Sequence, residues 1–172
     1  MARSPNEGSW ASSPGRRRNM QANRSQDTQP ELAVRRRLHG EGLRYRIAVA
    51  PVPGLRRRAD IVFTRARIAV FIDGCFWHGC PAHGRQSFKR NVDYWRTKIA
   101  MNVARDRETN SRLKSEGWTV LRYWEHEDAD LVARDIVRIV RQAQLRPTKG
   151  PRSSLTRGLG MYPQPDRDLE SD

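Results

Sequence analysis

Cysteine is scarce in this sequence, with two residues among 172, and acid is scarce relative to base, with 19 Asp and Glu against 33 Lys and Arg. Two thiols cannot build the multiply bridged framework of a small secreted domain. No apolar run approaches the ~18–20 residues that cross a bilayer, and the first residues are Ser, Pro, Asn and Arg without the apolar stretch of a signal peptide. The expectation is a cytoplasmic protein with no membrane partner, whose two cysteines serve as metal ligands or free thiols rather than as a disulfide. Aromatic residues make up only 8%, so two side by side in a loop need a reason.

Positive charge is what the chain has in excess. A formal net charge of +14 suits a polyanionic partner, nucleic acid or an anionic membrane surface. Any one of the Arg tracts at 16–18, 35–37 and 56–58 can equally be a solvated face. Residues 1–24 carry net +4 and residues 146–172 net +1, leaving +9 between them. The excess therefore belongs mainly to the folded part.

The length fits one domain. Both ends are rich in Ser, Pro, Gly and Arg without periodicity, which predicts disordered tails at 1–18 and 146–172 around a domain at 19–145. Within it, Thr28-Gln29-Pro30-Glu31 has the pattern of a capping box and predicts a helix from there to about His39, stopped by Gly40 and Gly42. YRIAVA (45–50), ADIVFT (59–64) and RIAVFID (67–73) read as strands, the last two as a hairpin. Val92, Trp95, Ile99, Asp106 and Leu113 keep a helical period that ends at Glu116-Gly117, where glycine can take the left-handed cap. WTVLRYW (118–124) is a further strand, and Leu131 to Ala143 a final amphipathic helix. The order α-β-β-β-α-β-α predicts an α/β fold with a mixed sheet and helices on its faces.

The chemistry concentrates in IDGCFWHGCPAH, residues 72–83. Cys75-x4-Cys80-x2-His83 places three zinc ligands in one loop after a strand, and a structural zinc needs a fourth. His126 is the best candidate, provided that strand 118–124 runs parallel beside 67–73; His78 and His39 are substitutes. Two buried free cysteines with surface histidines are the plainer reading. Asp60 opens one strand and Asp73 closes the next, and such a pair can hold magnesium, which takes oxygen ligands and keeps waters. Each can also be an ordinary turn residue. His78 can accept a proton from water at neutral pH, or lie in solvent. Asp106 shares a helical face with Ile99 and Leu113, so it needs a partner, an arginine or a histidine it orients. Phe76 and Trp77 cannot both enter one face of a strand. They are either partly core or a wedge that inserts between base steps.

The segments RNMQANRSQDTQPE, VPGLRRRADIVF, VFIDGCFWHGC, KIAMNVARDRETNSRL and GWTVLRYWEHE, in this order, resemble the very short patch repair (Vsr) mismatch endonucleases over about residues 17–140. The resemblance implies a PD-(D/E)xK-type, restriction-endonuclease-like core that nicks one strand of duplex DNA 5′ to the mispaired thymine of a T·G mismatch, with catalytic magnesium and structural zinc. By position, Asp60 resembles the central metal-binding aspartate, His78 the histidine that activates water, and Asp106 the acidic residue behind it. Met20, Phe76 and Trp77 match the intercalating residues. Glu31 matches an acidic residue that reaches towards the metal, and Asn102 falls in the shared NVARD stretch.

Two positions depart from the family pattern. Ile72-Asp73 replaces Thr-His, so that Ile72 can offer only its backbone carbonyl to the metal while Asp73 either binds metal directly or takes another role. At the zinc, Cys80, His83 and His126 replace a histidine-rich loop and a cysteine, all with zinc-competent atoms. The implied partner is double-stranded DNA carrying a T·G mismatch, in the nucleoid, with mismatch-repair proteins as candidate associates. Nicking one strand needs one active site, so a monomer is expected. A less selective nicking or restriction-type endonuclease, and a non-catalytic zinc-stabilised DNA-binding module, are the competing functions.

Overall fold

A computed structural model describes residues 26–84 and 91–145. The expected tails at 1–18 and 146–172, and Met20, lie outside the described residues. The elements are α1 (Gln29–Gly40), β1 (Arg46–Val49), β2 (Ala59–Phe63), β3 (Ile68–Asp73), α2 (Val92–Ser115), β4 (Thr119–Trp124) and α3 (Ala129–Leu145). All seven fall where periodicity and turn residues put them, with differences of one or two residues at their ends, where helices and strands fray.

The sheet has the order β1-β2-β3-β4. β1 and β2 are antiparallel, β2 and β3 form the expected hairpin, and β3 and β4 are parallel, in register from Ile68↔Thr119 to Asp73↔Trp124. A parallel pair needs a long crossover, and α2 supplies it.

Side chains alternate between two cores. Ile61, Phe63, Ile68 and Val70 pack with Val34 and Leu38 of α1 and Val132, Ile136 and Val140 of α3. Val62, Ala69 and Phe71 pack on the other face with Leu113 of α2 and Trp118. Leu38, Ile61, Ile68 and Ile136 have no exposed surface, and burying each contributes about 1.5–3 kcal/mol. This period of two decides the site: Phe71 and Asp73 share the α2 face of β3, while Val70 and Ile72 face α1 and α3.

Helix ends explain how the chain changes direction. Gly117 sits at φ 75°, its N–H bonds the Lys114 carbonyl, and the Trp118 N–H bonds the Leu113 carbonyl. That pairing is a Schellman motif, with Leu113 and Trp118 packed together behind it. Asp128 starts α3 by accepting the N–H groups of Asp130 and Leu131. At α1 the capping-box expectation needs correcting. Glu31 does reach back, but it accepts from the Asp27 N–H and the Thr28 hydroxyl, and the Thr28 side chain makes no cap bond to the helix. Arg35 competes for the same carboxylate at 2.9 Å and draws Glu31 into an ion-pair cluster with Asp27.

Candidate active site

The carboxyl end of β3 opens into a cleft of about 960 Å³ bounded by β2, β3, β4, the start of α1 and one face of α2. Asp60, Ile72, Asp73, Trp77, His78, Asn102, Asp106 and Glu31 all line it. Sequence reasoning singled out each of these.

Asp60 stands at the second position of β2. Its Oδ2 accepts the Ile72 N–H at 2.7 Å, in place of a backbone partner beyond the last paired residues of the hairpin. N–H and C=O of one strand residue leave on the same side, so the Ile72 carbonyl also faces the β2 side. Burial, with the negative charges of Glu31 and Asp73 adding to it and the Ile72 bond opposing, pushes the Asp60 carboxyl up to about 6. A carboxylate held so far from water's full solvation is a favourable seat for a cation. A hard ion such as magnesium fits this donor set, one carboxylate and one backbone carbonyl, because it retains waters in its remaining positions.

Opposite Asp60 in the antiparallel register, Ala48 adopts a left-handed φ of 49°. Its carbonyl accepts from Arg58, the last arginine of the tract at 56–58 that borders the cleft.

His78 hangs in the loop after β3. Its Nδ1 lies 2.6 Å from Asp106 Oδ2 on α2, which leaves Nε2 as the nitrogen available to the cleft. Asp73 Oδ1 is 3.6 Å from the same Nδ1, too long for a hydrogen bond. Burial would depress the imidazole, but the Asp106 bond and the Asp73 and Asp106 charges outweigh it and raise its pKa above the ordinary 6.5. Asp106 moves the other way: burial is outweighed by the His78 bond and the charge of Arg122, and its pKa is lowered.

Arg122 is the functional-site residue that sequence reasoning missed. It projects from β4 in register with Phe71 and stacks on that ring at 4.6 Å. Nη1 donates to Asp73 Oδ1 at 2.8 Å and Oδ2 at 2.6 Å, Nη2 to Asp106 Oδ1 at 3.1 Å, and Nε to Asn110 Oδ1 at 3.0 Å. Both partners proposed for Asp106, an arginine and a histidine, are thus present together. Asp73 retains a pKa above the ordinary range because burial outweighs Arg122 and His78.

The loop itself is pinned from two directions. Gly74 O accepts the N–H groups of Trp77 and His78, and Asn102 of α2 donates to the Trp77 carbonyl at 2.9 Å. Glu125, also missed, accepts the Cys75 N–H at 2.7 Å. Gly79 has φ 67°, and a Cβ there would come within 3.1 Å of Ile99 on α2, so this position needs glycine for both conformation and space.

Cys75, Cys80, His83 and His126 bring one ligand atom each within 4.8 Å of one another. The thiols are buried and the histidines exposed. Two sulfurs and two imidazoles are a donor set that closes a tetrahedral zinc site. His126 arrives because β3 and β4 are parallel: with Asp73 paired to Trp124, Cys75 and His126 are each two residues beyond. His78 lies on the cleft and His39 ends α1, so neither is needed as a substitute.

Phe76 and Trp77 are both half-buried, and their rings meet edge to face at 5.0 Å. Trp95 of α2 packs against Phe76 at 5.2 Å and Trp77 at 6.1 Å. They form one aromatic cluster at the mouth of the site rather than separate core residues.

A family model described as DNA mismatch endonuclease Vsr matches residues 12–83. The chain is 53% identical over 116 residues to Type II nicking enzyme V.NaeI of Lentzea aerocolonigenes, an alignment covering 66% of this chain and 69% of that protein. It is 45% identical over 122 residues to Type II nicking enzyme V.XorIIP of Xanthomonas oryzae pv. oryzae, covering 70% and 88%. To DNA mismatch endonuclease Vsr of Escherichia coli it is 38% identical over 110 residues, covering 64% and 69%. Among the described residues, no helix is long and apolar enough to cross a membrane. Sequence likeness over about two thirds of the chain, on a mixed sheet that gathers acid, histidine and a thiol-imidazole cluster at one strand end, makes this protein a member of the Vsr family of DNA endonucleases.

Proposed function

We propose that the protein nicks one strand of duplex DNA 5′ to the mispaired thymine of a T·G mismatch, as in very short patch repair, by metal-assisted phosphodiester hydrolysis on a PD-(D/E)xK-type core. The observation that carries this reading is His78 backed by Asp106 at 2.6 Å, with Nε2 left to the cleft that Asp60 also lines.

Each residue then has a task. Arg56, Arg57 and Arg105 border the cleft and hold DNA phosphates, which fixes register without reading sequence. Phe76 and Trp77, braced by Trp95 and joined by Met20, wedge into the base stack. Opening a stack costs a few kcal/mol and least at a faulty pair, which is the physical basis for mismatch preference. His78 Nε2 takes a proton from the attacking water as its oxygen bonds to phosphorus and the phosphodiester bond to the leaving oxygen breaks. Asp106 holds the ring and offsets the charge that it acquires. Asp60 and the Ile72 carbonyl are the candidate holders of magnesium, with Asp73 beside them, and the ion when bound would neutralise phosphate charge and lower the pKa of water. Cys75, Cys80, His83 and His126 hold zinc as a structural ion.

The deciding experiment is nicking by the purified chain, with magnesium, on one duplex labelled in either strand and carrying T·G or a normal pair. Nicking confined to the thymine strand of the T·G duplex is expected. Equal cutting of matched DNA points to the second reading, a less selective nickase, favoured by the several relatives called type II nicking enzymes. Duplex binding without magnesium-dependent cutting would leave only a zinc-stabilised binding module.

A further inference from the structure

The guanidinium of Arg122 is satisfied on every side. Asn110 holds Nε, Asp73 takes Nη1 with both oxygens, Asp106 takes Nη2, and Phe71 covers one face. Its side chain is 19% exposed, that of Asp73 10%. An arginine does not lose its proton in a protein, so a fixed positive charge sits behind His78 at all working pH values.

This arrangement constrains Asp73. Its two oxygens already accept short charge-assisted bonds, and a divalent ion there would have to displace them and sit beside the cation that makes them. Asp60 has no such rival among the described residues, where its carboxylate accepts one backbone N–H, that of Ile72. The two carboxylates at the end of the hairpin are therefore not equivalent, although their places in the sequence make them look like a pair.

We propose that Arg122 is a positioning residue that commits Asp73 and Asp106 to one rigid frame behind His78 and leaves Asp60 as the single side-chain carboxylate for the divalent cation. The proposal rests on the nuclease reading of this cleft. Asp73 then acts through charge and through Arg122, and its contribution to the ion is indirect.

The test uses the full zinc-loaded chain, with Mn²⁺ binding followed by isothermal titration and nicking followed on the T·G duplex. One Mn²⁺ per chain is expected; Asp60→Asn loses it, whereas Asp73→Asn still binds one ion, weakened by no more than about 10- to 100-fold, the range for changes outside the ligand shell. Arg122→Met frees Asp73: Mn²⁺ binds roughly tenfold more tightly or a second ion binds, and the gain disappears in the Arg122→Met/Asp73→Asn double variant. In Arg122→Met, kcat falls by about tenfold or more while KM for duplex changes little, as expected when the lost interaction serves the reacting geometry rather than binding. Arg122→Lys restores single-ion binding but only part of kcat, because it returns the charge without the fork.

Loss of the ion in Asp73→Asn overturns the proposal, as does full kcat in Arg122→Met. Should Arg122→Met fail to fold, Asp73→Asn alone decides it by the same criterion. A wild-type chain that binds Mn²⁺ on Asp60 yet cuts no duplex overturns the nuclease reading instead.

Discussion

His78 Nδ1 and Asp106 Oδ2 stand 2.6 Å apart, across the gap between the loop after β3 and the middle of α2. Each shifts the other: the imidazole is raised and the carboxyl lowered. For stability, the histidine's contribution is full below the ordinary 6.5 and fades as pH rises through its higher folded value, while the aspartate's is present above the ordinary carboxylate range and fades as pH falls through its depressed value.

A general base must be neutral, so the nicking rate should rise with pH through a midpoint above 6.5. Asp106→Asn removes the bond and charge that raise the imidazole. Its midpoint should move to lower pH, and its plateau rate should fall on the order of 10²-fold because the ring is no longer held. Single-turnover rates from pH 5.5 to 9 check both; an unshifted midpoint would remove His78 from the role of base.

Asp60 carries a stability penalty that depends on pH. Its folded value of about 6 exceeds the unfolded 3.8, so its contribution is full below 3.8 and is lost as pH rises through about 6. Two units correspond to about 3 kcal/mol. Asp60→Asn should raise the melting temperature of the metal-free chain at pH 8 by several degrees, with the difference closing near pH 4, while abolishing nicking. Added Mg²⁺ should stabilise the parent chain and not the variant. Calorimetric melts at the two pH values decide it.

Zinc should be present at one ion per chain by elemental analysis, and Cys80→Ser should release it and lower the melting temperature. Ligand binding to a site formed only on folding is folding free energy. A strong chelator should therefore inactivate in two separable ways: added Mg²⁺ alone should fail to restore nicking, and Zn²⁺ with Mg²⁺ should succeed.

Trp77→Ala should weaken binding to a T·G duplex by about 1–3 kcal/mol, the range for loss of one stacking side chain, with a smaller loss on matched DNA. Asn102→Ala, which frees the Trp77 carbonyl, should weaken the same preference in the same direction. Fluorescence anisotropy with both duplexes measures it; equal losses on both would assign the aromatics to packing.

Secondary structure was legible because this chain punctuates cleanly, with Gly40, Gly42 and Gly117 at helix ends and β-branched residues in every strand. The Cys/His cluster was legible for a topological reason. Only a parallel β3–β4 pair carries Cys75 and His126 to equivalent places past the strand ends, and a long helix between two strands predicts that pairing. Arg122 was hidden in WTVLRYW, which reads as an apolar strand with one charge. The available signal was alternation: Arg122 lies on the face of Val120 and Trp118, towards α2, where a charge requires a partner. Asp106 alone was seen to need one, Asp73 having been read as a metal ligand or a turn residue, and nothing along the chain joins three residues 33 and 16 positions apart. Glu125 was passed over because its bond is to the Cys75 backbone, which has no mark in sequence.

The segment from Gly74 to His83 is clamped by two independent bodies, the sheet through Cys75 with Glu125 and His126, and α2 through Trp77 with Asn102 and His78 with Asp106. Its length is thereby fixed twice over. One inserted or deleted residue would satisfy at most one clamp, while side chains such as those at 81 and 82 can change freely. Divergence among relatives in this segment should proceed by exchange of residues and not by change of length.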